Sequence, residues 1–158
     1  MSADIKLRPI VDADREFLYR CYASTRTEEL APVPWSDADK ESFLRMQFRA
    51  QTEHYDKHYS KAEFQVILVD DVPAGRLYVA RWEKEIRIVD ITLLPSFRGR
   101  GVGSYLLNAL IDESTAAKKP LSIHVEKNNP AMRLYIRLGF QPVGDVGVYD
   151  LMQRPPAN

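Results

Sequence analysis

Residues 85–110 read EIRIVDITLLPSFRGRGVGSYLLNAL, and three kinds of structure meet in them. Glu85 to Leu94 is rich in Ile, Val and Leu, the composition of a strand in a core. Pro95 stops that strand, and Ser96 to Gly103 is polar, basic and glycine-rich. Val102, Leu106, Ala109 and Leu110 then share one helical face, Lys118-Lys119 closes the helix, and Pro120 ends it. A helix start presents backbone N–H groups with no intrahelical acceptor, and its dipole favours negative charge. Strand, turn and helix in this order predict an anion site over Arg98 to Gly103. Gly101 and Gly103 have no side chain to hold a phosphate away, and Arg98 and Arg100 add charge-assisted hydrogen bonds. The glycines alone favour a tight solvated turn; the arginines and the context favour phosphate.

Upstream, Ile5 to Pro9 alternates as a half-buried strand does. Asp12 reads as an N-cap for a helix whose apolar face is Phe17, Leu18, Cys21 and Tyr22. Pro32-Val33-Pro34 breaks the chain, and Ser36 or Asp37 caps a second helix. Its stripe is Leu44, Phe48, Gln51, Tyr55 and Tyr59, either a surface edge or the wall of a pocket. Phe64 to Val69, a turn at Asp70-Asp71, and Gly75 to Ala80 form two strands that lead into the Glu85–Leu94 strand as an antiparallel meander. Downstream come a strand at Leu121–Val125, a helix opened by Asn129-Pro130 and closed by Gly139, and two short strands about Gly144 and Gly147. The predicted order is β-α-α-β-β-β-α-β-α-β-β, a single mixed α/β domain over residues 1–153, with 154–158 as a tail.

The chain has 158 residues, enough for one core without disulfides or a metal. Its 22 basic and 22 acidic residues balance, which argues against a general nucleic-acid binder. The lone Cys21 cannot form an internal disulfide, and it reads as a packing residue in a reducing compartment. No stretch is apolar enough for a membrane span, and Met1 to Arg8 has no signal-peptide core, so the chain reads as cytoplasmic.

The loop is not a Walker loop, because no Gly-Lys-Ser/Thr follows, and its glycine spacing is wrong for a dinucleotide fingerprint. Arg98-x-x-Gly101-x-Gly103 resembles motif A of the GCN5-related N-acetyltransferases. Ile91-Thr-Leu93-Leu-Pro95 resembles the strand before that motif. Asn129-Pro-Ala-Met-Arg-Leu-Tyr135-Ile-Arg-Leu-Gly139-Phe140 resembles motif B. These motifs cover about residues 85 to 142, and the element order extends the likeness to nearly the whole chain.

The resemblance implies a mostly antiparallel sheet flanked by helices, and acetyl-CoA as co-substrate. Its pyrophosphate is expected on Arg98, Gly99, Arg100, Gly101, Val102, Gly103 and Ser104, with the pantetheine arm along a splayed strand. Leu93 stands where the family's backbone contact to the acyl carbonyl lies. Asn129, or Asn128, caps its helix or bonds the pantetheine. An amine attacks the thioester directly, and Tyr135 is the expected acid to the departing sulfur. Asp90 is the expected base; the plainer reading is a buried Asp bonded to an arginine or an amide. Glu85, His124 or a water chain are the other candidates. Tyr55, Tyr59 and Tyr149 are placed on the acceptor side. The acceptor is a small-molecule or protein amine, with no nucleic acid, membrane or metal involved; a homodimer is a common assembly in that family. Two other readings are a non-catalytic acyl-CoA-binding regulatory domain and a nucleotide- or RNA-binding module.

Overall fold

Hydrophobic alternation along Glu63–Val69 decides how the layers stack. The computed structural model of the chain describes residues 3–156. Its strands are β1 (Ile5–Pro9), β2 (Glu63–Val69), β3 (Val72–Arg81), β4 (Ile86–Leu93), β5 (Leu121–Glu126), β6 (Gln141–Val146) and β7 (Tyr149–Arg154). Its helices are α1 (Arg15–Ser24), α2 (Thr27–Leu30), α3 (Asp37–His58), α4 (Val102–Ala117) and α5 (Met132–Arg137). Adjacent residues of a strand point to opposite faces. Val66 and Ile67, both fully buried, accordingly enter different cores. Val66 packs with Phe17, Leu18, Tyr22, Leu44 and Phe48 from α1 and α3. Ile67 joins Leu77, Ile88, Leu106, Leu110, Val125 and Phe140, which include the apolar faces of α4 and the segment after α5. Each such side chain contributes about 1.5–3 kcal/mol when fully buried.

The seven strands form one sheet in the order β1-β2-β3-β4-β5-β7-β6. Every neighbouring pair is antiparallel except β4 and β5. Those two pair only from Ile86–Leu121 to Ile88–Ile123. Val89 is then an extra residue on β4, because Val79 pairs with Ile88 while Tyr78 pairs with Asp90. A bulge bends its strand and re-aims the residues beyond it. Beyond it β4 stays with β3, while β5 stays with β7, so the sheet opens between them.

The predicted meander and the helix after the loop are present. Asp70 and Asp71 both have positive φ, 51° and 66°, the backbone of the two-residue turn that joins β2 to β3. Four local readings change. Asp14, not Asp12, organises the start of α1: its carboxylate accepts the Val11 N–H and both terminal nitrogens of Arg8. A short α2 adds a turn before Pro32, where the sequence shows no apolar period. The last helix begins at Met132, because the Asn129 side chain accepts the Ala131 N–H in a turn of its own. Arg154, placed in the tail, is the last residue of β7: it pairs with Leu121, and its Nε donates to the Leu138 carbonyl. The rest of that tail reading falls partly on residues 157 and 158, outside the described residues.

Gly75 holds β3 against β4. A Cβ there would overlap the Thr92 carbonyl oxygen. Gly75→Ala is expected to destabilise the fold by about 1–3 kcal/mol or more, because backbone rather than a pliable side chain must move. The midpoint of urea unfolding measures it; an unchanged midpoint would show that the strands separate freely.

Candidate functional site

Two cavities meet where β4 and β5 part. The first, about 360 Å³, lies on the α4 side and is lined by Leu93, Arg98, Gly99, Gly101, Val102, Gly103 and Ser104 from the loop. The second, about 530 Å³, lies on the α1–α3 side and is lined by Tyr22, Tyr55, Tyr59, Asp90, Glu126 and Tyr149 among others. Ile91 and Tyr135 line both. Sequence-predicted residues from both motifs thus converge on one place.

The loop's glycines serve by conformation more than by absence of bulk. Gly99 and Gly101 have φ of 73° and 81°, and a Cβ on either would meet nothing within 4 Å. A side chain would fit in space, yet the left-handed backbone would strain any L-residue by about 1–2 kcal/mol. These two turns bring the chain into α4, whose first residues, Val102, Gly103 and Ser104, line the cavity with their unpaired helix-start amides. Arg98 turns back instead of outward: its Nε donates to the Leu93 carbonyl at 2.9 Å, which ties the loop to the end of β4. The Arg100 guanidinium stands over the Phe97 ring at 5.4 Å. The donors this loop offers are therefore chiefly backbone amides, with Arg98 and Arg100 both exposed beside them.

Tyr135 is buried on α5, its ring edge-to-face with Phe140 at 5.7 Å. Burial, and then the charge of Asp90, push its hydroxyl up to about 12. It stays protonated at neutral pH, a hydrogen-bond donor and a weak acid. Asn129 lines the second cavity as well as bonding Ala131.

Asp90 is held from three directions. Its Oδ2 accepts from Arg76 Nη2 at 2.8 Å and from the Tyr55 hydroxyl at 3.0 Å, and its Oδ1 from Thr92 Oγ1 at 2.7 Å. The side chains of Arg76 and Asp90 are 3% and 11% exposed, so little solvent screens the pair. His124 also faces the second cavity. Burial, and then Arg87, lower its pKa, so the ring is neutral at pH 7. Its Nδ1 is 3.5 Å from Arg87 Nη1. Arginine only donates, so Nδ1 is the acceptor there and Nε2 carries the ring proton. Glu85 is engaged elsewhere, accepting from Ser122 and Arg87.

Sequence reasoning missed Arg76, which lies in the Gly75–Ala80 strand and is almost wholly buried. The signal was a charge inside an apolar run, the same signal that singled out Asp90 one strand away. It also missed the bridge from Arg26 to Glu126 and Glu29, both at 3.0 Å, because those residues lie a hundred positions apart or in the unread α2. Among the described residues no group of three or more His, Cys, Asp or Glu is placed to hold a metal, and no helix is long and apolar enough to cross a membrane.

Several buried groups here favour their neutral forms. Desolvation raises Cys21 from 9.0 to about 11, and raises Tyr78 and Tyr135 from 10.0 to about 12. A raised folded pKa gives stability that is complete below the unfolded pKa and is lost as pH climbs through the folded one. Stability against urea is therefore expected to fall between about pH 9 and 12, first from Cys21 and then from the tyrosines. A midpoint that holds constant across that window would contradict the burial of these groups.

The chain matches the family described as "Acetyltransferase (GNAT) family" over residues 18–140. No curated protein matches its sequence. Its structure is similar to that of PaiA N-acetyltransferase from Thermoplasma acidophilum in complex with coenzyme A, with a TM-score of 0.71, 17% identity, and coverage of 96% of this chain and 99% of that one. It is similar too to the histone acetyltransferase HPA2 and related acetyltransferase structure from Corynebacterium glutamicum, with a TM-score of 0.67, 22% identity, and coverage of 100% and 98%. An acetyltransferase from Thermus thermophilus gives a TM-score of 0.65 at 18% identity, covering 98% and 97%. At these identities the likeness establishes the fold.

Proposed function

Because this chain belongs to the acetyltransferase (GNAT) family, we propose that it transfers the acetyl group of acetyl-CoA directly to a primary amine. One observation carries the reading: Tyr135 and Ile91 line both the loop cavity and the cavity across the sheet, so a donor and an acceptor can meet there. The residues fit the co-substrate. Left-handed Gly99 and Gly101 and the first amides of α4 present donors to a pyrophosphate, and the open edge of β4 leaves backbone for an extended arm. A structure of coenzyme A with a relative of this fold is in keeping with that placement.

Bound acetyl-CoA supplies the thioester that the amine attacks. Arg98 holds the end of β4 to the loop, with Leu93 at the junction. Tyr135 donates a hydrogen bond toward the leaving sulfur as negative charge grows there. Asp90 acts as a positioning residue, fixing the Tyr55 hydroxyl and Thr92 at the acceptor wall. The amine enters in its neutral form, and its proton leaves to solvent in the open second cavity.

Thiol release from acetyl-CoA with a panel of primary amines tests this. Release that depends on the amine is expected. Gly101→Ala is expected to weaken coenzyme A binding about tenfold through strain in the loop. Tight coenzyme binding with no thiol release from any amine would instead make the protein a sensor of acyl-CoA.

A further inference from the structure

The second cavity specifies the body of the acceptor through its charges and its walls. Four of its lining residues carry full charge: Arg26, Arg76, Asp90 and Glu126. All four are spoken for. Arg76 pairs with Asp90 at 2.8 Å, and Arg26 with Glu126 at 3.0 Å. Arg26 holds Glu29 as well, and Arg76 also donates to Gln51. An acceptor with a second ammonium would have to share a carboxylate that already holds a guanidinium. One with a carboxylate or phosphate would find no unpaired guanidinium. Either group would lose its water for a partner already engaged in an ion pair.

The walls favour a flat apolar body. Tyr55 and Tyr59 meet edge-to-face at 6.1 Å, and Tyr59 is backed by Trp82, parallel to it at 9°. Tyr55 is braced from behind by Tyr78 at 5.8 Å. Tyr22 and Tyr149 stand on other sides of the same space. Aromatic faces pack aromatic bodies and attract the single cation of an approaching amine. The volume of about 530 Å³ admits one small molecule and is open enough to be entered from solvent.

We propose that the acceptor is an arylalkyl monoamine, a primary amine on an uncharged aromatic body. This inference rests on the acetyl-transfer reading, and the experiment separates the two. The protein with acetyl-CoA is assayed for thiol release on 2-phenylethylamine, spermidine, L-phenylalanine and a lysine-containing basic peptide. The expected kcat/KM for 2-phenylethylamine exceeds the others by about tenfold or more, the scale of discrimination that an unpaired charge produces. Tyr59→Ala is expected to remove most of that preference through KM, with coenzyme A affinity unchanged, while Tyr59→Phe retains it. Preference for spermidine, the amino acid or the peptide overturns the inference and leaves acetyl transfer standing. Equal turnover of all four also overturns it. No release with any amine would sink the acetyl-transfer reading, and this inference with it.

Discussion

Tyr135→Phe is expected to lower the maximal rate of acetyl transfer about tenfold or more, with little change in coenzyme A affinity. A hydrogen bond to a charged group is worth about 1.5–3 kcal/mol, and each 1.4 kcal/mol is about tenfold in rate. The substitution keeps the ring, so the edge-to-face packing on Phe140 persists and the core is undisturbed. The hydroxyl of Tyr135, pushed up to about 12 by burial, does not titrate in the range where the enzyme is assayed. The deficit of the variant should therefore be constant from about pH 7 to 9. This refines the general-acid role. On the proposed reading, a group this weakly acidic stabilises the departing thiolate by donating a hydrogen bond. Unchanged turnover would remove the role, and a loss of coenzyme affinity equal to the loss of rate would make the tyrosine a binding residue.

Arg76→Leu is expected to cost about 3–5 kcal/mol of stability, the penalty for leaving a buried charge without its partner. Asp90 would keep Tyr55 and Thr92 as donors but lose its bonded cation. Against a total of about 5–15 kcal/mol for a domain, that loss is large. Adding Asp90→Asn to the variant should recover much of it, since the neutral pair no longer strands a charge. Denaturant midpoints of the wild type, both single variants and the double variant measure the coupling. Additive losses would show that the two side chains do not stabilise each other. Arg76 Nε is itself buried without a hydrogen-bond partner, so the arginine is not ideally satisfied even in the native fold.

Local sequence carried the elements that depend on nearest neighbours. The alternation of Phe64–Val69, the helical period after Gly101 and the turn pair Asp70-Asp71 each follow from residues a few positions apart, and each is present. The loop was legible for the same reason, since strand end, glycines and helix start are contiguous. Errors fell where a side chain from elsewhere changed the local choice. Arg8, a strand away, selected Asp14 over Asp12 at the head of α1. Arg154 was drawn into β7 by its pairing with Leu121 and its bond to Leu138, neither visible from a polar C-terminal stretch.

The donor half of this protein is written in short contiguous motifs: an α/β sheet, an anion loop at the start of α4 and a tyrosine on the helix that follows β5. The acceptor half exists only once the chain has folded. The extra residue at Val89 and the parting of β4 from β5 open the sheet beside Tyr135, and folding pairs Arg76 with Asp90 and Arg26 with Glu126. Whether a charge is free to meet a ligand depends on which distant charge reaches it first, and that is settled by packing across strands and helices, not by spacing along the chain.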